Sequence, residues 1–515
     1  MKIKSVAMLS IALAVCMLGG CAENAKHEIV VVSTPGELSS SESSETVSSL
    51  NSNEKSSSSI SSINTTSWST IVSEPAVSVT KPQVSVVIPQ ISSSEIQEST
   101  QPEETFSSNV VSSSKEEPAV SSSSSAKPPI VTSSSSGFSS SDNSPVTPSF
   151  PIGTNNYQAL NYSEVKGIWI SYLELSGLVS DSESSFRNSI GKVYDNCVSL
   201  GINTVVVHVR SHGDAYYNSS LFPRTKYLGG NYDPLSVMID EAHKRGLSFQ
   251  AWINPLRGCS VSDIGREAGY PMYEWAGNEK QIVSYNGYYY LNPAYDEVID
   301  LIAKGASEIV SKYDVDGLHI DDYFYPTTEE WFDSEAYSNS SYSSLSDFRF
   351  ANCDKLVSSL YSAVKSANNT ALFGVSPQGN VQNNYSYMYA DVEKWCSESG
   401  YLDYIMPQIY FGFKNSYQPF SDVVTQWDAI AAKGNVPLIV GLSPAKIGSE
   451  DTWGGEGKYE WINDKEILKR QFIESSEQKS YGGICLYSYN SIFNADSDTE
   501  SQMNDEVSAL KAVLQ

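Results

Sequence analysis

From Tyr157 to Gln515, short β-branched or aliphatic runs alternate with longer amphipathic stretches, and the alternation repeats eight times. A hydrophobic period that switches between two and about 3.6 residues is the signature of βα units. The strands expected are Lys166–Tyr172, Asn203–Val209, Leu247–Ile253, Val315–Asp321, Ala371–Ser376, Tyr401–Tyr410, Pro437–Leu442 and Gly482–Tyr489. Between them fall helical stretches such as Ser184–Cys197, Pro234–Arg245, Asp296–Lys312, Asp354–Lys365, Pro419–Ala432 and Asp464–Ser475, with Ser501–Leu514 closing the count. Eight such units predict an α/β fold of the (β/α)8, or TIM, barrel type. A doubly wound sheet is the alternative. That fold more often has fewer strands, and no Gly-x-Gly-x-x-Gly follows the first strand to mark a dinucleotide site.

The N-terminal portion has a different character. Lys2 and Lys4 precede a compact apolar run from Val6 to Leu18, and Leu18-Gly19-Gly20-Cys21 follows. Small residues before a Cys, directly after such a run, read as a lipobox, so 1–20 is expected to be a lipoprotein signal peptide and Cys21 the lipidated residue. The apolar run is short for a membrane span. Residues 21–153 are rich in Ser with Pro, Val, Thr and Glu between, a composition that buries too little apolar area to offset its ordering entropy. The expectation is a disordered tether, spanning roughly 60–70 Å as a coil and up to about 400 Å in polyproline-like extension. The folded domain is then 154–515, on an exported protein anchored by lipid to the outer side of the cytoplasmic membrane.

Acidic residues number 60 against 33 basic ones, for a formal charge of −27. Nucleic-acid binders need cations to replace phosphate counterions, so that balance argues against nucleic acid as a partner. Beyond Cys16 and Cys21, five widely spaced Cys remain without a Cys-x-x-Cys pair. Five cannot all pair, and no metal knuckle is indicated.

In a (β/α)8 barrel the chemistry sits where strands end. Polar and aromatic residues crowd those ends here: His208-Val209-Arg210-Ser211-His212-Gly213-Asp214, Trp252-Ile253-Asn254-Pro255-Leu256-Arg257, His319-Ile320-Asp321-Asp322-Tyr323, Ser376-Pro377-Gln378, Met406-Pro407-Gln408-Ile409-Tyr410 and Tyr487-Ser488-Tyr489-Asn490. Buried polar groups need partners, so convergence from six strands points to a ligand site.

These segments carry a resemblance. Asn203 to Tyr216, Tyr232-Asp233-Pro234-Leu235, Glu241 to Leu247, Ala251 to Arg257, Leu291-Asn292-Pro293, Gly317 to Pro326 and Met406 to Tyr410 together resemble the glycosyl-hydrolase-like family 10 of bacterial exported proteins. The resemblance runs from about residue 161 to 490. It implies a TIM barrel and hydrolysis of glycans, with peptidoglycan strands stripped of their peptides as a substrate of some members. The strand around His319 also distantly resembles the Asp-Gly-x-Asp-x-Asp-x-Glu strand of chitinase-type barrels. Asp316, Gly317 and Asp321 match, but His319 replaces the middle Asp and Tyr323 replaces the acid Glu, so the chitinase mechanism does not transfer directly.

Glycosidic cleavage commonly uses two carboxyl groups. Asp321 and Asp322 are the first candidates, and Asp214 is the next. Asp333, Glu335 and Glu330 lie in the long loop that follows. The structural reading of Asp321 is a carboxylate bound to Arg210 or Arg257. His212 and His319 suit hydrogen bonding to sugar hydroxyls or tuning of an Asp, whereas His208 and His243 fit structural roles. Arg210 and Arg257 suit a carboxylate or an acetamido sugar, such as the lactyl group of muramic acid. Asn254, Gln408 and Asn490 suit hydroxyls, and Trp252, Tyr323, Tyr325, Tyr410 and Tyr489 suit stacking walls. No cofactor and no metal is expected, since no His-Glu-x-x-His is present. The rival readings are a metal-dependent barrel amidohydrolase or deacetylase, a glycan-binding lipoprotein without turnover, a solute-binding lipoprotein, and a hydrolase of another extracellular polysaccharide.

Overall fold

The structure is a computed structural model that describes residues 154–515. The expected signal peptide, Cys21 and the 21–153 tether lie outside the described residues.

In chain order the strands are β1 (Val165–Ile170), β2 (Thr204–Arg210), β3 (Ser248–Ile253), β4 (Arg257–Ser260), β5 (Ile282–Tyr285), β6 (Tyr288–Leu291), β7 (Gly317–Ile320), β8 (Leu372–Val375), β9 (Tyr404–Ile405), β10 (Leu438–Leu442) and β11 (Tyr481–Leu486). All but β4, β5 and β6 join in a closed parallel barrel in the order β1-β11-β10-β9-β8-β7-β3-β2. This is the expected (β/α)8 barrel, ringed by helices. Every residue of β2, Thr-Val-Val-Val-His-Val-Arg, is buried, as a strand with a helix layer on one face and the barrel interior on the other requires.

Local chemistry sets the helix limits. Ser182 caps Glu183–Leu200 and Gly201, at φ 100°, ends it. Asp233 caps Pro234–His243 by accepting from Leu235 N and Ser236 N, with Pro234 at the first position. The inward-facing core is compact and aromatic: Trp169, Val206, Trp252, Tyr404, Met406, Ile439 and Cys485. It fits because strand glycines leave room for it. A methyl group at Gly374 would lie 1.9 Å from the Tyr404 ring, and one at Gly317 would lie 1.9 Å from Gln250 Oε1. All five described Cys are buried and free. No helix among the described residues is long and apolar enough to cross a membrane.

Two parts differ from expectation. The strand expected over Tyr401–Tyr410 shortens to Tyr404–Ile405, because Pro407 has no N–H to donate; beyond it Gln408 makes only isolated bridges to Gln378 and Gly441. The second difference is an antiparallel sheet, β4-β6-β5, inserted after β3. Its tight turn is Asn286-Gly287, at φ 48° and 80°.

Candidate active site

Asp321 follows β7 directly, at the C-terminal rim of the barrel, and is only 4% exposed. Three neutral donors hold it. Asn254 Nδ2 donates to Oδ1 at 2.6 Å, Trp252 Nε1 to Oδ2 at 3.1 Å, and Tyr323 N to Oδ1 at 3.3 Å. Behind Asn254 stands His208. The Tyr172 N–H donates to its Nδ1 at 3.3 Å, so its Nε2 carries the proton and donates to Asn254 Oδ1. Burial keeps this imidazole neutral, and its ring lies flat on Trp252 with centroids 3.4 Å apart. His208 is therefore more than core filling: it orients the amide that orients Asp321.

Asp322 diverges from its neighbour, as consecutive residues leaving a strand should. It is half-buried and accepts from Gln408 Nε2 at 3.1 Å, on the β9 side of the rim. Burial raises the affinity of both carboxyls for protons. For Asp321 the adjacent Asp322 charge adds to this, while the Asn254 hydrogen bond and Arg257 oppose it. For Asp322 the hydrogen bond from Gln408 opposes it. Two neighbouring carboxyls in such a setting share protons rather than both ionising freely.

The floor beneath the pair is His319. Trp169 Nε1 donates to its Nε2 at 3.3 Å, and its Nδ1 then donates to Tyr404 Oη at 3.1 Å. Burial alone pushes its pKa down to about 3, so it is neutral. On one flank, Arg257 stacks over the Tyr323 ring at 4.4 Å and donates from Nη2 to His212 Nε2 at 2.7 Å. A guanidinium has only donors, so His212 accepts there and its Nδ1 donates to Ser211 Oγ at 3.0 Å. Burial, then the Arg257 charge, lower His212 to about 3. Among the described residues no carboxylate lies within salt-bridge distance of Arg257. On the other flank Tyr410 stacks on Tyr487 with centroids 5.9 Å apart, and Tyr487 meets Trp169 edge-on.

The expected residues thus divide. Asp321, Asp322, His212, Trp252, Asn254, Arg257, His319, Tyr323, Gln408 and Tyr410 gather at the rim. Arg210 does not: β2 shifts register between His208 and Arg210, and the guanidinium is buried over Phe222 at 4.1 Å, against Gly305 on the outer helix layer. It therefore makes no bond to Asp321. Tyr325 is buried away from the rim, its Oη accepting from Asn352 at 3.0 Å and its ring against Phe332 and Tyr389. Tyr489 packs outward, accepting from Asn196 Nδ2 at 2.8 Å, and Asn490 Oδ1 accepts from Asn494 Nδ2 at 2.7 Å. Tyr489 was expected in the wall as part of the run that ends the last strand; β11 ends at Leu486, and Tyr487 is the residue that reaches the cleft.

Asp214 is half-buried in the loop after β2 and accepts from His212 N at 3.3 Å. Near it lies Glu267, a residue sequence reasoning missed. Its carboxyl is buried, and burial followed by the Asp214 charge pushes it up to about 8. Of the loop carboxylates, Asp333 is locked in a buried ion pair with Arg349 at 2.7 Å, and Glu335 pairs with Lys280 at 2.6 Å on the surface. Among the described residues no three His, Cys, Asp or Glu side chains cluster as a metal ion needs. The inserted sheet adds Tyr288, whose ring lies 6.0 Å from His212, and Tyr290 beside Arg257.

The order of these segments along the chain matches a known family model, described as glycosyl hydrolase-like 10, over residues 164–454. The chain belongs to that family. Glycosyl hydrolase YngK of Bacillus subtilis (strain 168) is 32% identical over 331 residues, covering 58% of this chain and 64% of its own length. Glycosyl hydrolase DigH of Escherichia coli (strain K12) is 30% identical over 354 residues, covering 60% of this chain and 80% of its own. The chain thus spans a little under two thirds of the first relative and most of the second. It is a glycoside-hydrolase-like TIM barrel.

Proposed function

We propose that the protein is a glycoside hydrolase that cleaves O-glycosidic bonds of an extracellular glycan, with Asp321 and Asp322 as the working carboxyls. The observation that carries this reading is the consecutive pair itself. Two adjacent carboxyls, Asp321 buried and Asp322 half-buried, end one barrel strand; burial raises the proton affinity of both, the Asp322 charge raises that of Asp321 further, and different donors hold each. Three N–H donors fix Asp321 as the oriented carboxylate, able to act as nucleophile, as base toward water, or as the group that orients a substrate acetamide. Asp322 is more exposed, which suits the proton donor to the leaving oxygen. His208 and Asn254 are positioning residues that act through Asp321.

Peptide-free peptidoglycan strands are the substrate this reading favours. Removal of the stem peptide leaves a lactyl carboxylate on each muramic acid, and Arg257, whose charge already acts on Asp321 and Asp322 without a salt bridge to either, presents a guanidinium to the cleft. A fork of donors stacked on Tyr323 suits such a group. An N-terminal signal with lipidation of Cys21 would hold the domain outside the cytoplasmic membrane, where the wall glycan lies. A hydrolase of another extracellular polysaccharide remains the second reading; the relatives' names carry the word glycosyl without naming a glycan.

The test is product release from peptide-free strands by the full chain, resolved by mass. Fragments from the native protein that vanish in Asp321→Asn and Asp322→Asn support the reading. Fragments from a different polysaccharide alone would move the substrate. Binding without turnover on any glycan would replace hydrolysis with recognition.

A further inference from the structure

Among the described residues, the two large apolar side chains most open to solvent are Tyr417, 73% exposed, and Trp453, 64% exposed. Single exposed aromatics are ordinary on a protein surface. These two are unusual in their setting. Tyr417 sits in the loop after β9 and Trp453 in the loop after β10, both on the C-terminal rim that carries the carboxyl pair.

The two loops are locked to each other. Ser416 N donates to Gly454 O at 3.0 Å, and Glu456 N donates to Ser416 Oγ at 2.9 Å. The buried Glu460 carboxylate accepts from Phe413 N at 2.9 Å and Lys414 N at 2.7 Å. Asn415 Oδ1 accepts from Tyr417 N at 3.0 Å, and Asp451, itself paired with Lys446 at 2.9 Å, accepts from Trp453 N at 3.2 Å. The backbones approach so closely that a methyl group at Gly457 would lie 2.1 Å from Lys414 O, and one at Gly455 would lie 3.2 Å from the Tyr417 ring. The backbone that carries both rings is therefore held in a fixed frame.

Position supplies the ligand. In the barrel ring, β10 stands opposite β3, whose insertion carries Tyr288 and Tyr290. Asp321 and Asp322, after β7, sit between the two aromatic banks. Flat aromatic faces with polar edges suit pyranose rings, which have apolar faces and hydroxyl rims.

We propose that Tyr417 and Trp453 form a stacking platform for sugar rings of a long glycan chain, remote from the bond being cleaved. The inference rests on the glycoside-hydrolase reading and extends it: the enzyme grips a polymer across the rim and acts within chains in preference to short ends.

The test compares the full-length native chain with Tyr417→Ala, Trp453→Ala and Trp453→Phe, using long peptide-free peptidoglycan strands and the matching disaccharide as probes. Binding is read by titration calorimetry, and turnover as KM and kcat separately. Matched melting curves show that each variant folds. The expected result is about a tenfold loss of affinity and a matching rise in KM for long strands in each Ala variant, with kcat and disaccharide binding unchanged and partial rescue in Trp453→Phe. Native affinity in the variants, or no binding of long strands by the native protein, overturns the platform. Turnover that survives in both Asp321→Asn and Asp322→Asn would overturn the catalytic assignment instead, and leaves the binding comparison to decide the platform by itself.

Discussion

Asp316 and Asp321 stand at opposite ends of β7, and both are buried carboxylates with several hydrogen bonds, yet their surroundings differ. Asp316 lies at the bottom of the barrel. It accepts from Tyr157 Oη at 2.9 Å, Phe249 N at 2.7 Å and Leu160 N, and pairs with His243 Nε2 at 2.8 Å. Those partners tie the segment entering the barrel and the helix before β3 onto one carboxylate. Asp321, at the top, has neutral donors, a second carboxyl beside it and open solvent near Asp322. At the bottom the sequence supplies a full set of partners and the result is closure of the fold. At the top it leaves charge incompletely answered, and the result is a site. This division between stability and chemistry is general to barrels of this kind.

The comparison can be broken or sharpened in several ways. The largest effect is expected from Asp322→Asn, which removes the proposed proton donor. Turnover should fall by about 10²–10⁴-fold with melting unchanged, measured by fragment release. Retained turnover would remove Asp322 from the mechanism. Next, Asp316→Asn should lower folding stability by about 3 kcal/mol, read by denaturant titration, because the amide would set an NH2 against donors that a carboxylate accepts. Folded Asp316→Asn protein should keep native turnover. Arg257→Gln should raise KM about tenfold on strands with free lactyl carboxylates and leave carboxyl-reduced strands unaffected, since one charge-assisted bond is at stake. An equal loss on both would assign Arg257 to tuning the Asp pair instead.

The smallest effect concerns pH. Glu267 holds its proton up to about 8 in the fold, against an ordinary value of 4.5. Between those values the folded state binds the extra proton, so stability is fully present at lower pH and is lost as pH rises through the window. Glu267→Gln should flatten that loss, gaining stability above pH 8 and little at pH 5. Melting curves with identical pH slopes in both proteins would contradict it.

The eight barrel strands were legible because β-branched runs bounded by helical stretches leave little choice, and the helix Asp296–Lys312 emerges with the limits its periodicity predicts. The inserted sheet was not read, although Tyr285-Asn286-Gly287-Tyr288 carries the Asn-Gly turn signal between aromatic strands that marks a hairpin. Arg210 illustrates what sequence cannot supply: a register shift near the end of β2 turns an arginine from the rim to the helix layer. Glu267 was missed because its burial comes from tertiary packing, and nothing near it in sequence distinguishes it from a surface acid. Tyr487 stood in the run at the end of the last strand but was passed over for Tyr489, because beyond Leu486 alternation no longer says which way a side chain points.

The most direct test of the contrast between the two ends of β7 is to measure turnover and folding stability of Asp321→Asn beside Asp316→Asn, at equal concentrations of folded protein. The account predicts a crossed result, with Asp321→Asn folded but inactive on glycan strands and Asp316→Asn destabilised but active once folded. An active Asp321→Asn, or an Asp316→Asn that is fully folded and inactive, would contradict the assignment of chemistry to the top of the barrel.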